Sequence, residues 1–217
     1  MHFACSEAYL VIKGQGSVQT LSRSGFREVP LRAGSLVWFT PGVIHRLINA
    51  DAQLEIFAVM ENAGLPEQGD SVLTFPAPYL LDEESYRQVA SLEGADPSLS
   101  KPPEAARKRR DLAVEGFRIL CADLEKGSLD NFYRQTVRLA GPKESGWRAI
   151  WEAGPLKTML RTKTFLEQLH LGRSNYLNEG KLFEIPILPD DEKRSWGMCG
   201  TLRPYLPEGV IADPAEP

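Results

Sequence analysis

From Glu7 to Phe75 the chain alternates short apolar runs with turns. "EAYLVIK" gives way to "GQG", and then come "SVQTLS", "FREVPL", "RAG", "LVWFT", "PG", "HRLIN" and "QLEIFAVM". These runs are rich in Val, Ile, Tyr, Phe and Thr, and turn residues recur about every eight to twelve positions, the rhythm of an antiparallel sandwich or barrel. In the first run, strand alternation sets Glu7, Tyr9 and Val11 on one face and Ala8, Leu10 and Ile12 on the other. Both faces are apolar, so such a wall needs cover on its outside as well as its inside. Glycines at 14, 16, 34 and 42 bracket the predicted strands.

After "FPAP" at 75–78 the period changes. "DEESYRQVASLEG" has acidic residues at its start and a glycine at its end, the marks of a short helix. "GADPSLSKPP", 94–103, is the best linker in the chain. From Glu104 to Lys126, Ala113, Phe117, Leu120 and Leu124 share one helical face, and Gly127 is the stop signal. Ser128 is the expected N-cap of a helix to about Leu139, followed by helical stretches in "SGWRAIWEAG" and "LKTMLRTKTFLEQLHLG". Trp147, Trp151, Phe165 and Leu169 are expected in the core. Beyond Gly180 the strand signal returns in "KLFEIPILP" and "SWGMCGTLRPYL", joined by polar "DDEKR" as in a hairpin. The organisation expected is a β-rich stretch at 1–78, a helical region at 79–180 and a C-terminal hairpin and tail at 181–217.

Composition narrows the class. With 217 residues, 42% of them hydrophobic, and a net charge of −4, the chain can bury a substantial core. No apolar run reaches the roughly 20 residues of a membrane span and no export signal is recognisable, so a cytoplasmic protein with no membrane partner is expected. The acidic balance gives no reason to expect nucleic acid. The one basic run, "RKRR" at 107–110, lies in a predicted helix without interleaved aromatics and reads as a solvated face. Cys5, Cys121 and Cys199 are far apart, and their spacing matches neither a disulfide framework nor a zinc knuckle; packed, reduced thiols are expected.

Candidate chemistry centres on a few polar residues in the β-rich stretch. The sequence holds three histidines, and one of them, His45, follows the Pro41-Gly42 turn directly. His2, four residues, Glu7, six residues and Gly14 are similar to the end of the first motif of the cupin superfamily, G-x5-H-x-H-x(3 or 4)-E-x6-G. Gly34, five residues, Thr40, Gly42, His45 and Asn49 resemble its second motif, G-x5-P-x-G-x2-H-x3-N, with the proline displaced by one place to Pro41. Together they cover roughly residues 2–75.

The resemblance implies an antiparallel jelly-roll barrel, with His2, Glu7 and His45 as metal ligands on its inner wall. The family's first histidine would fall one place before Met1, so three ligands are implied rather than four. Two imidazoles and a carboxylate with open positions suit a divalent transition metal: iron, manganese, nickel or zinc. Strands that precede the first motif in the family have no counterpart here, and the C-terminal hairpin is expected to fold back and complete the barrel. The mainly β plus α architecture is therefore a cupin barrel, a helical region and that hairpin.

The implied function is a metal-dependent cupin acting on a small organic molecule, dioxygenase- or isomerase-like. Tyr9, Gln19, Trp38 and Phe57 are expected to line the substrate pocket. The alternative is a non-catalytic cupin that binds a small molecule or a partner without metal, His45 simply hydrogen-bonding a carboxylate. His170 is expected at the surface or in packing near a helix C-terminus, Cys5 as a packed thiol and Asn49 as a strand-end residue. A homodimer is expected, because the outer apolar wall needs cover and family barrels commonly pair.

Overall fold

A computed structural model describes residues 1–92, 103–184 and 194–205, together with the backbone of 211–212. The N-terminal third forms six strands: β1 (Glu7–Lys13), β2 (Gln15–Ser22), β3 (Gly25–Arg32), β4 (Leu36–Phe39), β5 (Ile44–Asn49) and β6 (Glu55–Met60). They make two antiparallel three-stranded sheets, in the orders β4-β1-β6 and β3-β2-β5. The facing sides of the sheets bury Tyr9, Val11, Val18, Leu31 and Phe39 as one cluster. Alternation holds along β1: Glu7, Tyr9 and Val11 are buried, while Leu10 and Ile12 are exposed.

The C-terminal two-thirds is mainly helical, with α1 (Glu83–Ala90), α2 (Glu104–Ala122), α3 (Ser128–Ala140), α4 (Glu144–Trp151) and α5 (Lys157–His170). The Asp82 side chain caps α1 by accepting from the backbone N–H of Ser85 at 2.9 Å. A second core joins helices and sheet: Leu21 of β2 and Ile44 of β5 pack with Phe75, Phe117 and Leu120 of α2, and Leu129 and Phe132 of α3. Full burial of each such side chain is worth about 1.5–3 kcal/mol. α2 approaches the segment at Thr74 closely because position 116 is glycine; a Cβ there would stand 1.9 Å from the Thr74 carbonyl oxygen. The Thr74 hydroxyl donates to the Ala113 carbonyl at 2.8 Å across the same contact.

Three expectations are corrected here. Ser128 is the first residue of α3, not its cap, and its hydroxyl donates to the Leu120 carbonyl at 3.1 Å, tying the new helix to the one before. Leu169 is exposed, not core: α5 continues from α4 through one wide turn at Glu152–Leu156 and buries none of its residues. Among the described residues the C-terminal strands do not complete a barrel. β7 (Phe183–Glu184) pairs with β10 (Ile211–Ala212), and β8 (Ser195–Trp196) with β9 (Thr201–Leu202), and among the described residues neither pair joins the two large sheets. Only Pro103 of the predicted linker, and only the ends of the predicted 181–206 hairpin, fall within the described residues. The architecture shown is mixed α and β with antiparallel sheets.

Candidate metal centre

Three elements bring His2, Glu7 and His45 together. Glu7 opens the central strand β1, paired with Phe39 on one side and Met60 on the other. His45 lies opposite Thr20 at the start of β5, just past the turn at 40–43. That turn has Pro41, whose ring fixes φ, followed by Gly42 at φ 88°, a left-handed angle favourable only without a Cβ, and it closes with Val43 N–H donating to the Thr40 carbonyl at 3.2 Å. The Gly42 N–H donates to the His2 carbonyl at 3.0 Å, and the Tyr133 hydroxyl of α3 donates to the Gly42 carbonyl at 2.8 Å. The turn is thus tied to residue 2 and to the helical layer at once.

His2 is held by Asp70, a residue that belongs to neither motif. Asp70 is completely buried, and its carboxylate accepts from the backbone N–H groups of Phe3 (3.0 Å), Ala4 (3.0 Å) and Cys5 (2.9 Å). Burial works against this carboxylate, but His2, Cys5 and those amides outweigh it and hold its pKa below the usual value. The Asp70 backbone carbonyl in turn accepts from His2 Nδ1 at 2.5 Å. These bonds pin residues 2–5 across the end of the sandwich. The signal available in the sequence was one aspartate in a turn-rich stretch, which identifies nothing by itself.

The donor atoms of His2, Glu7 and His45 all lie within 4.8 Å of one another. His45 Nε2 stands 3.0 Å and His2 Nε2 3.3 Å from Glu7 Oε2. Two donors bound at ~2.1 Å to one ion stand roughly 3–3.5 Å apart, so these separations fit a shared cation. The hydrogen-bond pattern carries more. His45 Nδ1 lies 3.1 Å from the Val43 carbonyl, as His2 Nδ1 lies beside that of Asp70. A carbonyl only accepts, so each Nδ1 carries a hydrogen, and whenever the ring is neutral the lone pair of Nε2 is the one turned toward Glu7. Glu7 Oε2 is buried and accepts no aligned hydrogen bond, although both rings are within ion-pair distance. With both rings neutral, the state that can hold an ion, three electron-pair donors converge here; without an ion, a proton on His2 offsets the Glu7 charge.

Electrostatics splits the two imidazoles. Burial works against charge on His2, but Asp70 and Glu7 outweigh it and raise its pKa to about 9. Burial lowers that of His45, and the pull of Glu7 does not compensate. Burial also opposes the Glu7 carboxylate, yet the two histidines hold it down at about 2. The centre without metal is thus a carboxylate, one imidazolium and one neutral imidazole.

Phe39 stacks on His45 with ring centroids 4.5 Å apart and planes 15° apart, and Tyr9 meets the same ring edge-on at 6.0 Å. Burial raises the Tyr9 hydroxyl well above its usual pKa, so it keeps its proton beside Glu7. Cys199, at the tip of the β8–β9 hairpin, is exposed as a residue, but its thiol is turned in beside Tyr9 and Glu7 and burial pushes its pKa up. Arg109 Nη2 anchors this tip by donating to the Gly197 carbonyl at 2.5 Å, so one residue of the basic run faces inward rather than into solvent. Cys5 is buried and Cys121 partly buried; all three thiols are free.

Of the four residues expected to line a pocket, only Tyr9 faces the interior. Trp38 pairs with Ala8 and Phe57 with Leu10, which are on the outward parity of β1, so both point away from the site. Gln19 pairs with Arg46 on the outer side of the second sheet and donates to Glu28 at 3.0 Å. The inward neighbours of Glu7 and His45 are instead Phe39, Met60 and Thr20.

The chain matches none of the family models against which it was scanned, and none of the curated proteins with which it was compared. Among the described residues no helix is long and apolar enough to cross a membrane.

Proposed function

We propose that His2, Glu7 and His45 hold a divalent transition metal (iron, manganese, nickel or zinc) in a cupin-like sandwich that acts on a small organic molecule. The observation that carries this reading is the buried Glu7 Oε2, unserved by any aligned hydrogen bond and faced by two Nε2 atoms whose partner nitrogens are already bonded to carbonyls. Carbonyl partners on Nδ1 are the usual means of orienting a histidine that ligates through Nε2. A mixed set of two imidazoles and one carboxylate leaves coordination positions free for substrate and suits first-row divalent ions. Bound there, the ion would act as a Lewis acid on a substrate oxygen, in chemistry of the oxygenase or isomerase type.

The chain's own residues prepare that position. Asp70 and the Pro41-Gly42 turn fix the two imidazoles, and Phe39 stacks on the ring of His45. Tyr9 presents a protonated hydroxyl beside Glu7, able to donate to a ligand oxygen. The thiol of Cys199 borders the same space and keeps its proton. The test is elemental analysis of protein loaded separately with each of the four metals. Stoichiometric metal in the native chain, lost in folded His45→Ala, supports the reading; no retained metal from any of them removes it.

A second reading is favoured by the raised pKa of His2. An imidazolium there balances Glu7 without an ion, so the cluster would be a buried charge pair within a binding or interaction module. It predicts that added metal leaves thermal stability unchanged.

A further inference from the structure

The end of the sandwich, α1 and α3 do not close completely on one another. Between them lies a cavity of about 290 Å³, walled by Phe3 and Val72 from the sandwich side, Tyr86 and Ala90 from α1, and Thr136 and Leu139 from α3. Close-packed proteins leave few gaps larger than a water molecule, so a space of this size where three elements meet needs a reason. Its walls make little polar demand. The Tyr86 hydroxyl already accepts from the backbone N–H of Leu73 at 3.0 Å, and the Thr136 hydroxyl donates to the Phe132 carbonyl at 3.0 Å. The cavity lies beside the candidate metal centre and is separate from it. Asp70 turns its carboxylate to the amides of residues 3–5, whereas its neighbours Gly69, Ser71 and Val72 line the cavity, and His2, Glu7 and His45 do not.

Charge comes only from exposed residues of the lining. Lys143 stands in the turn after α3, and among the described residues it forms no ion pair. Its Nζ reaches over Gly69, 3.6 Å from where a Cβ would stand, so the missing side chain leaves the ammonium its place. Arg87 of α1 is engaged by Glu84 at 2.7 Å. Glu83 also lines the cavity.

We infer that this cavity binds a small organic monocarboxylate with an apolar body, its carboxylate paired with Lys143. Size is the first argument. An apolar cavity of about 150 Å³ holds benzene, so one of this volume takes a body of roughly ten to twelve non-hydrogen atoms. Chemistry is the second. Apolar walls with one or two convergent polar groups are the usual make-up of a small-molecule site, and a lysine at the opening offers a charge-assisted bond to an anionic head. Glu83 repels a second negative charge, which favours a monocarboxylate over phosphate or a dicarboxylate.

The experiment is calorimetric titration of 3-phenylpropanoate into the full chain at neutral pH with EDTA present, so that binding through a metal is not read and the outcome is independent of the metal centre. One site per chain is expected, with a Kd on the order of 10–100 µM for a ligand of this size. Lys143→Gln should weaken binding about 10-fold or more, and the uncharged 3-phenylpropan-1-ol should bind the wild type about 10-fold more weakly than the acid. Ala90→Leu, which fills the apolar space, should abolish binding while keeping the wild-type circular dichroism spectrum. Lys157→Gln, which removes the same charge from α5, should leave affinity unchanged. No saturable binding to the wild type overturns the inference. So does binding that is indifferent to Lys143→Gln, or an alcohol that binds as tightly as the acid.

Discussion

His2 and Glu7 set opposite pH dependences because each shift is a difference between folded and unfolded chains. The pKa of His2 rises on folding from 6.5 to about 9, so without metal its contribution to stability is complete below pH 6.5 and lost as pH climbs through about 9. That of Glu7 falls from 4.5 to about 2, so its contribution is present above pH 4.5 and lost as pH drops toward 2. His45 adds a third dependence: burial lowers its pKa, so charging it removes stability as pH falls below 6.5. Thermal melts of metal-free protein should therefore peak near pH 6.5 and decline on both sides, with a further loss on the acid side once Glu7 protonates below pH 4.5. A bound ion must displace the proton on His2, so the stabilisation gained on adding metal should grow from pH 6.5 to 9, where metal-free protein weakens. A gain that shrinks over that interval would contradict the assignment of His2 as a ligand. Asp70 is the third residue of consequence. Asp70→Asn replaces an acceptor with a donor before three backbone N–H groups, and should weaken metal binding about 10- to 100-fold by releasing His2. Titration calorimetry reads this, and unchanged affinity would show that His2 needs no such support.

Among elements, the turn at 40–43 and the α2 contact at Gly116 are where backbone geometry leaves least freedom. Gly42→Ala imposes a Cβ at φ 88°, a cost of about 1 kcal/mol that falls on the turn presenting His45. Gly116→Ala forces α2 away from the Thr74 carbonyl and should cost about 2 kcal/mol or more, measurable by urea denaturation. A neutral result at position 116 would mean that α2 can move without loss. Both glycines were visible in the sequence, but only Gly42 announced its role, through the proline before it. The same contrast runs through the elements generally. β1 to β6 and α1 to α3 were legible because alternation and helical period directly report which side chains are buried. Position 128 was misread because a serine after glycine signals a cap whether or not the backbone needs one. Residues 195–202 were misassigned because short apolar runs fix strand character without fixing a pairing partner.

At the scale of the molecule, the core formed by Leu21, Ile44, Phe117, Leu129 and Phe132 makes sheet and helices one packing unit around the candidate centre. Phe132→Ala should cost about 3–5 kcal/mol, and helix loss in the far ultraviolet should coincide with loss of bound metal in a single transition. Separate transitions would show that the sandwich stands without its helices. The convergence of His2, Glu7 and His45 was implied by the family resemblance of the motifs that carry them, whereas Asp70 and Cys199 belong to no motif and reach the site through folding at long range. Three of four pocket residues were misplaced for a simpler reason: a strand residue's face depends on register, and Trp38 and Phe57 take theirs from Ala8 and Leu10. The most direct test of the centre is calorimetric titration of zinc into wild-type protein and Glu7→Gln, a nearly isosteric change that removes only the carboxylate charge and one acceptor. One ion per chain in the wild type, with binding about 100-fold weaker or lost in a folded Glu7→Gln variant, is the predicted result; equal affinity in the two proteins, or no binding to the wild type, would contradict it.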